Sequence, residues 1–482
     1  MGKIDGFREF DRKVEQEVAV ESRIKSFDEF TLKMKETELT KQGSRCMDCG
    51  IPFCHSACPL GNLIPDFNHM VHQKEWQKAA WILHSTNNFP EFTGRLCPAP
   101  CEKSCVLGIN SDPVAIETLE KNIVEKAFEN GWIKAQKPST VSGKSVAVVG
   151  SGPSGLAAAQ QLNRAGHKVV VYEKAEKAGG LLRYGIPNFK LDKNIIDRRL
   201  AILEEEGIEF KFNANVGENI SKKEMDSFDA VLLCGGAEKP RDLPNLKSGQ
   251  GIHQAMDFLT EQTKALEQKR TNLSIDAKGK NVIVIGGGDT GSDCIGTANR
   301  QNAASVTSFE IMPKAPKDRS PSTPWPFWPL QFKESSSHRE GCDQNWLISA
   351  KSAIRDKNGS LTALETVKVE WILNNGKREL KEIEGSQQIW PCDMVFLALG
   401  FTGPQKILSE TFDIPTNARG NYVTENYRVG ETKVFSAGDM RRGQSLIVWA
   451  IAEGREAAKS IDSYLMNKSD LSSKGKGDLL SA

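Results

Sequence analysis

Seven cysteines in the N-terminal quarter of the chain are the residues best suited to carry chemistry. They form two groups, CMDCGIPFCHSACP from Cys46 to Pro59 and CPAPCEKSC from Cys97 to Cys105. Disulfides are disfavoured because the N-terminal stretch is charged from the start and has no apolar signal segment. Structural zinc normally uses paired units with four ligands per ion, whereas uneven spacing that ends in Cys-Pro is typical of iron–sulfur proteins. The cysteines therefore favour iron–sulfur clusters and leave zinc as the alternative.

A glycine-rich motif lies further along the chain, in SVAVVGSGPSGLAAAQQLNRAGHKVVVYEK. Its glycines follow an apolar β-branched run, a helix pattern comes next, and the following strand ends on an acid. Such glycines allow a tight turn and bring a pyrophosphate close to the helix N-terminus, while the acid can accept hydrogen bonds from ribose hydroxyls. The predicted contact residues of this first dinucleotide site are Gly150, Gly152, Pro153, Ser154, Gly155 and Glu173.

The same arrangement occurs a second time, in NVIVIGGGDTGSDCIGTANRQNAASVTSFE. A carboxylate at the end of its second strand, at Glu310, suits a free ribose 2′-hydroxyl and would repel a 2′-phosphate, which favours NADH. Lys314 or Arg319 could compensate, so NADPH stays open. The predicted contact residues of this second site are Gly286, Gly287, Gly288, Asp289, Thr290, Gly291 and Glu310.

Two dinucleotide units in one chain are the pattern of flavoproteins that resemble the disulfide reductases. In those proteins the first unit binds FAD, and the second binds a nicotinamide nucleotide and is inserted into the FAD domain. The insertion predicts that the chain returns to complete the FAD domain, and VFSAGDMRRGQSLIVWAIAEGREAAKSI fits that return. In that scheme Gly438 and Asp439 contact the flavin's ribityl or phosphate oxygens.

The size and composition of the chain are those of a soluble protein with two or three domains. It has 482 residues, a net charge of +1 and 26% charged residues, so nothing indicates binding to nucleic acid or membrane. No apolar run is long enough to span a membrane. The remaining cysteines are isolated in sequence, which is typical of core residues in a reduced, cytoplasmic protein; they are Cys234, Cys294, Cys342 and Cys392.

The predicted fold class is α/β, with an N-terminal α-helical domain followed by two Rossmann-like domains. Residues 1–45 are predicted to be a solvated helical lead-in, and a loop rich in Pro and Trp is predicted to cover part of the surface near residue 325. The predicted divisions are 1–140 for the helical iron–sulfur domain, 141–275 and 401–466 for the two parts of the FAD domain, 276–400 for the NAD(P)H domain, and 467–482 for a disordered tail.

The combination of motifs resembles the small (beta) subunit of glutamate synthase over residues 30–465. The resemblance is carried by the two cysteine groups, AGGLLRYGIPNFKL from Ala178 to Leu191, GGGDTGSDC, and STPWPFWP. The same module is similar to the electron-input half of dihydropyrimidine dehydrogenase and to the large subunit of ferredoxin-dependent transhydrogenases.

The resemblance implies two 4Fe–4S clusters, which need eight ligands, whereas the two groups contain seven cysteines. It places an oxygen ligand at Glu120, on the predicted helix VAIETLEKNI. It also places Gly180, Leu181 and Lys190 beside FAD. The implied ligands are Cys46, Cys49, Cys54 and Cys105 for cluster 1, and Cys58, Cys97, Cys101 and Glu120 for cluster 2.

The function implied by the resemblance is electron input. NADH or NADPH would deliver a hydride to FAD, and single electrons would leave through the clusters to a large FMN-containing subunit that makes glutamate from glutamine and 2-oxoglutarate. One alternative is an input subunit for a dihydropyrimidine dehydrogenase or a ferredoxin-linked transhydrogenase. Another is a zinc-stabilised nucleotide-binding protein without turnover.

Overall fold

A computed structural model describes residues 2–246 and 249–474. The N-terminal part is helical, and a 3₁₀ helix, Val106–Ile109, lies between its last two α-helices. These helices are α1 (Gly6–Glu9), α2 (Val20–Arg23), α3 (Glu36–Ser44), α4 (Phe53–Ala57), α5 (Ile64–His72), α6 (Trp76–Thr86), α7 (Pro90–Leu96), α8 (Pro100–Lys103) and α9 (Ile116–Glu129).

Helices and parallel strands alternate through most of the remaining chain. The helices are α10 (Pro153–Arg164), α11 (Leu181–Tyr184), α12 (Lys193–Glu206), α13 (Lys222–Met225), α14 (Ala255–Glu267), α15 (Asp289–Arg300), α16 (Ser336–Arg339), α17 (Lys406–Phe412), α18 (Asp439–Arg442) and α19 (Ile447–Met466). The strands are β1 (Ser145–Val149), β2 (Lys168–Tyr172), β3 (Glu209–Lys211), β4 (Ala230–Leu233), β5 (Lys239–Pro240), β6 (Ile252–Gln254), β7 (Asn281–Ile285), β8 (Ser305–Glu310), β9 (Asp343–Trp346), β10 (Ile348–Arg355), β11 (Leu361–Asn374), β12 (Lys377–Glu382), β13 (Gln388–Pro391), β14 (Met394–Leu397), β15 (Phe401–Gly403) and β16 (Val434–Ser436).

The first parallel sheet has the order β16–β4–β1–β2–β3. Its central strand β1 pairs with β2 on one side and β4 on the other. Both faces are covered by helices, which is why β1 and β2 consist of near-continuous apolar runs. The last strand, β16, comes some 200 residues after β4 in sequence and pairs directly with it. The chain therefore returns to complete this sheet, and the predicted α/β fold with an inserted nucleotide domain is confirmed.

The inserted unit has a second parallel sheet with the order β6–β14–β7–β8–β9. Because β6 pairs with β14 and α14 packs against this sheet, the inserted unit begins at about residue 250. The predicted boundary at 275/276 is therefore wrong: the first strand of the unit is only three residues long and has no periodic pattern to reveal it. An antiparallel sheet of β10 to β13, which the sequence analysis missed, is attached to the same unit.

Residues 2–45 form an arm, and the prediction of a solvated helical lead-in is wrong for them. Only α1, α2 and α3 are helical there, and Arg23 is buried. Its Nε donates to Glu340 Oε1 at 2.6 Å, and the other oxygen of Glu340 is paired with Arg300 at 2.5 Å. Phe30 lies beneath the Arg23 guanidinium, 4.5 Å from ring centroid to Cζ. The arm thus ties the iron–sulfur domain to α15 and α16 of the inserted unit.

The C-terminal residues 467–474 pack on the protein surface. Leu471 contacts the main hydrophobic core, and Lys474 donates from Nζ to the carbonyl oxygens of Ser56 and Cys58 at 3.0 and 2.7 Å. The prediction of a disordered tail is wrong for these eight residues, because their polar composition is offset by backbone acceptors that the sequence does not reveal. Residues 475–482 lie outside the described part of the chain. No helix in the described ranges is long and apolar enough to cross a membrane.

Candidate functional site

The first glycine loop connects β1 to α10 and is built by close backbone contacts. Gly150 has φ +101°, and a Cβ there would lie 2.5 Å from the Cys234 carbonyl oxygen. A Cβ at Gly155 would lie 2.0 Å from the Gly150 carbonyl oxygen. Gly152, which caps α10, has no atom within 4 Å of its would-be Cβ. Gly150 and Gly155 are therefore required by the loop itself. Gly152 leaves open the space that a pyrophosphate would occupy.

Glu173, at the end of β2, is fixed beside this loop. Its Oε2 accepts from the backbone N–H of Ser151 at 3.0 Å and from the Ser151 hydroxyl at 2.5 Å, and its Oε1 accepts from Ala175 N–H at 2.8 Å. The carboxylate is buried, and its Oε1, which accepts one hydrogen bond, can accept another. This is the position from which it could accept from ribose hydroxyls, as the sequence predicts.

The second glycine loop, between β7 and α15, repeats this geometry. Glu310 accepts from Gly287 N–H at 2.6 Å and from Met312 N–H at 2.9 Å. A Cβ at Gly291 would lie 2.1 Å from the Gly286 carbonyl oxygen, and the space beside Gly288 is open. Gly287, Gly288 and Asp289 are exposed at the N-terminus of α15, and Thr290 follows them in its first turn. Both units therefore fit a dinucleotide.

The segment after β2 approaches the first glycine loop. Gly180 has φ +53°, and a Cβ there would lie 3.0 Å from Gly152 Cα. Leu181 follows it and is 44% exposed. Lys190 points to the second nucleotide unit rather than to the first glycine loop. Its Nζ pairs at 2.5 Å with the buried Asp293 of α15. The Lys190 ammonium thus lies at the junction of the two nucleotide units.

The returning chain brings Gly438 and Asp439 to the start of α10. A Cβ at Gly438 would lie 3.0 Å from Ser154 Cβ, next to Pro153. Burial raises the pKa of Asp439 to about 6, and Ser445 donates to its Oδ1 at 3.3 Å. Glu453 accepts from the Gly438 N–H at 3.3 Å and from Arg441. The Asp439 carboxyl group lies beside the glycine loop and has acceptor capacity left. This is the chemistry expected for a contact with cofactor hydroxyls.

The thiols of the first predicted ligand set line one cavity, formed by α4, α5 and the segment that follows α8. Its wall contains Cys46, Cys49, Cys54 and Cys105, together with apolar residues such as Ile64. Burial, with added repulsion from the other thiols, raises the pKa of Cys46 to about 11. Four inward-facing sulfurs in an apolar wall are the donor set of a cubane cluster, whose iron atoms would offset the cost of forming buried thiolates.

The second predicted set gathers around Glu120, on α9. Its Oε1 accepts from the Asn87 amide at 3.2 Å and from the Thr93 hydroxyl, and its Oε2 accepts from the Asn62 amide at 3.4 Å. Burial raises the pKa of Glu120 to about 7, and these three donors oppose that rise. A surface helix position would not be buried or held in this way, so the carboxylate is part of the interior of the iron–sulfur domain.

Three thiols interact electrostatically with this carboxylate. Burial raises the pKa of Cys58 to about 11, and the charge of Glu120 adds to that rise. Burial and the same charge raise the pKa of Cys97, while burial and the Cys58 thiol raise that of Cys101. Within residues 2–246 and 249–474, no three side chains of His, Cys, Asp or Glu are grouped closely enough to hold a single metal ion. The second set is nevertheless one electrostatic group of three sulfurs and one carboxylate.

The Pro- and Trp-rich loop between β8 and α16 lies against the iron–sulfur domain. Trp325 packs on Phe53 with ring centroids 4.7 Å apart, and Ser104 donates to the Pro326 carbonyl oxygen at 2.7 Å. Arg319 donates to carbonyl oxygens of its own loop and of Lys103. The expectation that Arg319 could reach a 2′-phosphate is therefore wrong, because its guanidinium is used to hold this loop.

Lys314 remains close to the second nucleotide loop. Its ammonium lies over the rings of Phe332 and Trp346, 4.6 and 4.4 Å from their centroids. It follows Glu310 by four residues, which keeps one cation near the end of β8.

Comparison with known proteins agrees with this geometry. Residues 23–132 match the family described as dihydropyrimidine dehydrogenase domain II, 4Fe-4S cluster, and residues 144–454 match the family described as pyridine nucleotide-disulphide oxidoreductase. The small chain of glutamate synthase [NADPH] from Bacillus subtilis is 46% identical to this chain, over 98% of this chain and 100% of its own length. This chain belongs to the glutamate synthase small-chain family. It is an NAD(P)H-dependent oxidoreductase of the flavin and iron–sulfur type.

One further relative and one structural neighbour extend the comparison. Glutamate synthase [NADH] from Schizosaccharomyces pombe is 45% identical over 98% of this chain, which corresponds to 23% of the longer yeast protein. Mycobacterium tuberculosis FprA in complex with NADPH shares the fold, with a TM-score of 0.53 and 17% identity over 67% of this chain and 85% of FprA. The glutamate synthases named for NADPH, from Bacillus subtilis, and for NADH, from Schizosaccharomyces pombe, thus lie at almost the same identity to this chain, 46% and 45%.

The residues that the sequence analysis missed are the ones that hold the predicted residues in place. Asn62, Asn87 and Thr93 surround Glu120, and Ser151 holds Glu173. Their positions relative to these acids follow no sequence motif. The only available signal was Ser151, which lies inside the first glycine loop.

Proposed function

We propose that this chain is the electron-input subunit of a glutamate synthase. When bound, FAD would take a hydride from the nicotinamide, and iron–sulfur clusters would carry single electrons away. The chain's own residues bind and orient these groups: two glycine loops with strand-end acids, and buried thiols in the adjoining helical domain. The observation that carries the proposal is the Cys46, Cys49, Cys54 and Cys105 cavity in the same fold as two dinucleotide loops.

We further propose that the chain holds two 4Fe–4S clusters with the ligands implied by its resemblance. Cluster 1 would use the four cysteines of that cavity, and cluster 2 would use Cys58, Cys97, Cys101 and Glu120. The burial of Glu120 among polar donors supports this assignment, because a buried carboxylate without a metal or cationic partner is costly. The zinc alternative is disfavoured by the 4Fe-4S family match.

For FAD, the residues proposed to form the site are those of the first loop and of the returning chain. The loop residues Gly150 to Gly155 would hold the pyrophosphate, and Glu173 would bind the ribose. Gly180 and Leu181 would line the cofactor, while Gly438 and Asp439 would contact its ribityl or phosphate oxygens. Lys190, whose ammonium pairs with Asp293, is proposed to line the cofactor as well.

For the nicotinamide nucleotide we propose the loop from Gly286 to Gly291, and a preference for NADH. Glu310 would meet the adenosine ribose, where a 2′-phosphate would bring two negative groups together. Two backbone N–H groups fix the carboxylate there, so it cannot easily turn away. Lys314 is the nearest cation in sequence that could lessen this repulsion.

We propose that the electron acceptor is a separate large glutamate synthase subunit containing FMN. The test is to purify the chain anaerobically and compare NADH oxidation by an artificial acceptor with glutamate formation, with and without the large subunit. The expected result is a coloured flavin and iron–sulfur protein that reduces the artificial acceptor alone and supports glutamate formation only with the partner. Glutamate formation by the isolated chain, or a colourless protein, would contradict the proposal.

A matched pair of variants separates the two nucleotide loops. Gly288→Ala places a methyl group in the open space of the second loop, and Gly152→Ala does so in the first. The Gly288→Ala protein should retain flavin absorption but lose NADH oxidation. The Gly152→Ala protein should lose bound flavin. Equal loss of flavin in both would show that the loops are assigned wrongly.

A further inference from the structure

A second cavity lies between the iron–sulfur domain and the FAD domain, away from both glycine loops. It is bounded by α6, residues 132–136, the end of α10, the middle of α12 and of α19, and residues 470–472. Its volume of about 460 Å³ is in the range of small-molecule sites. Arg164, at the end of α10, is about 16 Å along the helix from the glycine loop, at 1.5 Å per residue. Four of its lining residues are basic: Lys134, Arg164, Arg199 and Arg455.

Arg455 is a buried cation of this cavity that has no ion pair among the described residues, although the nearby charge of Glu456 offsets part of the cost of its burial. It is 7% exposed, and it donates to Asn88 Oδ1 at 2.7 Å, the Ser85 carbonyl oxygen at 3.1 Å and Ser472 Oγ at 3.0 Å. These acceptors are all neutral, and in the described ranges no carboxylate forms an ion pair with this guanidinium. Burying a charge without an opposite charge is costly, so an anion in the cavity would be strongly favoured.

Arg164 adds a second cation to the same wall. Its Nη2 pairs with Glu206 at 3.2 Å, while its Nε is buried and has no hydrogen-bond partner within the described part of the chain. Repulsion between Arg164 and Arg455 adds to the effect of burial in lowering the pKa of Arg455 to about 10. Two guanidinium groups close enough to repel each other are a suitable clamp for a bivalent anion.

The other basic groups of the wall are already balanced or neutral. Arg199 forms a two-point pair with Glu91, at 2.5 and 3.0 Å. The imidazole of His84 contacts the Ala80 carbonyl oxygen through Nδ1 and Arg199 through Nε2. Burial and the Arg199 charge lower its pKa to about 4, so it is neutral at pH 7. Among the described residues, Arg455 and the exposed Lys134 are therefore the cations of this wall without an ion pair, while Arg164 has its Nε free beside its pair with Glu206, and Asp470 is the one acid that lines the cavity.

We propose that this cavity binds a small dianion of the dicarboxylate or phosphate class. The anion would be held between Arg164 and Arg455, with Lys134 at the mouth. It would join α6 of the iron–sulfur domain to α10 and α19 of the FAD domain. It would also contact the C-terminal segment beside Ser472, two residues before Lys474, whose ammonium binds the Cys58 carbonyl oxygen.

Calorimetric titration of the holoenzyme with succinate, and separately with inorganic phosphate, tests this site. Sodium chloride at equal ionic strength is the blank, and neutral succinamide is the ligand control. We expect one equivalent of at least one dianion to bind, and the stronger of the two identifies the ligand class. Binding of neither dianion at millimolar concentration would overturn the proposal.

Variants locate the binding within the protein. Arg164→Gln should weaken the binding at least tenfold, because it removes one arm of the clamp, while Arg164→Lys should retain much of it. Lys137→Gln, which removes an exposed charge outside the cavity, is the matched control and should bind as the parent does. Thermal melting of each variant verifies folding. Equal binding by the Arg164→Gln and Lys137→Gln proteins would place the anion elsewhere and refute the assignment.

Discussion

Replacement of Glu120 tests the most specific feature of the iron–sulfur domain. In Glu120→Ala the Asn62 and Asn87 amides and the Thr93 hydroxyl lose their shared acceptor. The Thr93 hydroxyl can still donate to the Phe89 or Pro90 carbonyl oxygen, both at 3.4 Å. Each of the two amides left unsatisfied costs about 1–3 kcal/mol, so the apoprotein should lose at least about 2 kcal/mol of stability. That loss is a large share of an ordinary unfolding free energy but does not by itself unfold the domain.

The larger expected effect is on cluster content. If Glu120 is the eighth ligand, the iron content of the alanine variant should fall from about eight to about four atoms per chain, since each cubane holds four. FAD content and reduction of the flavin by NADH should remain near those of the parent. Glu120→Gln keeps an oxygen acceptor and should retain iron, but the change of ligand should shift the electron paramagnetic resonance spectrum of the cluster.

Iron analysis, flavin absorption and electron paramagnetic resonance of the reduced protein provide the measurements. Glu129→Ala, an exposed change near the end of the same helix, controls for general effects on α9. A spectrum of Glu120→Gln identical to that of the parent would reduce Glu120 to a structural residue. Full retention of both clusters by Glu120→Ala would refute the reasoning.

Three further predictions concern the nucleotide loops and the domain junction. Gly155→Ala should destabilise the apoprotein by about 1–3 kcal/mol, seen as a lower melting temperature, because the new Cβ would lie 2.0 Å from a carbonyl oxygen. Gly152→Ala should leave the melting temperature of the apoprotein unchanged. It should weaken FAD binding at least tenfold in a flavin fluorescence titration. Glu310→Ser should lower the ratio of kcat/KM for NADH to that for NADPH at least tenfold in steady-state kinetics, and an unchanged ratio would mean that this carboxylate does not select the nucleotide. Burial lowers the pKa of His84 from 6.5 in the unfolded chain to about 4 in the folded protein, where the imidazole is neutral at pH 7. The unfolded chain therefore takes up a proton first as the pH falls. The free energy of unfolding should drop by about 3 kcal/mol between pH 6.5 and about 4 because of this one group. Denaturant unfolding of His84→Gln across that range should show a smaller loss than the parent, and parallel curves would contradict the burial argument.

The elements that could be read from sequence are those whose parts lie close together in the chain. Each glycine loop and its strand-end acid, Glu173 or Glu310, falls within one strand–helix–strand unit of some 30 residues. Backbone sterics and strand length then fix where the acid lies relative to the loop. The structure accordingly places both acids within hydrogen-bond distance of their own loops.

Other features depended on partners that are distant in the chain. The N-terminal arm was misread because the charge pattern around Arg23 fits a solvated helix, whereas its carboxylate partner, Glu340, is 317 residues away. The start of the inserted unit was missed because β6 is recognisable only by its pairing with β14. Arg319 is close in sequence to β8, but its guanidinium donates to carbonyl oxygens that include that of Lys103, 216 residues away, and no sequence pattern indicates that contact.

The sequence by itself determined that the chain has two dinucleotide units and that its two N-terminal cysteine groups contain seven cysteines, one fewer than the eight ligands that two 4Fe–4S clusters would need. Those conclusions need only residue types and local spacing. Tertiary structure decided which residues share a site: it buried Glu120 with three polar donors beside Cys58 and Cys97, and it brought Arg164 and Arg455 to one cavity. The physical reason is that burial and charge compensation depend on contacts between segments that are distant in the chain. Those segments meet only when the helices and the loops between them pack together.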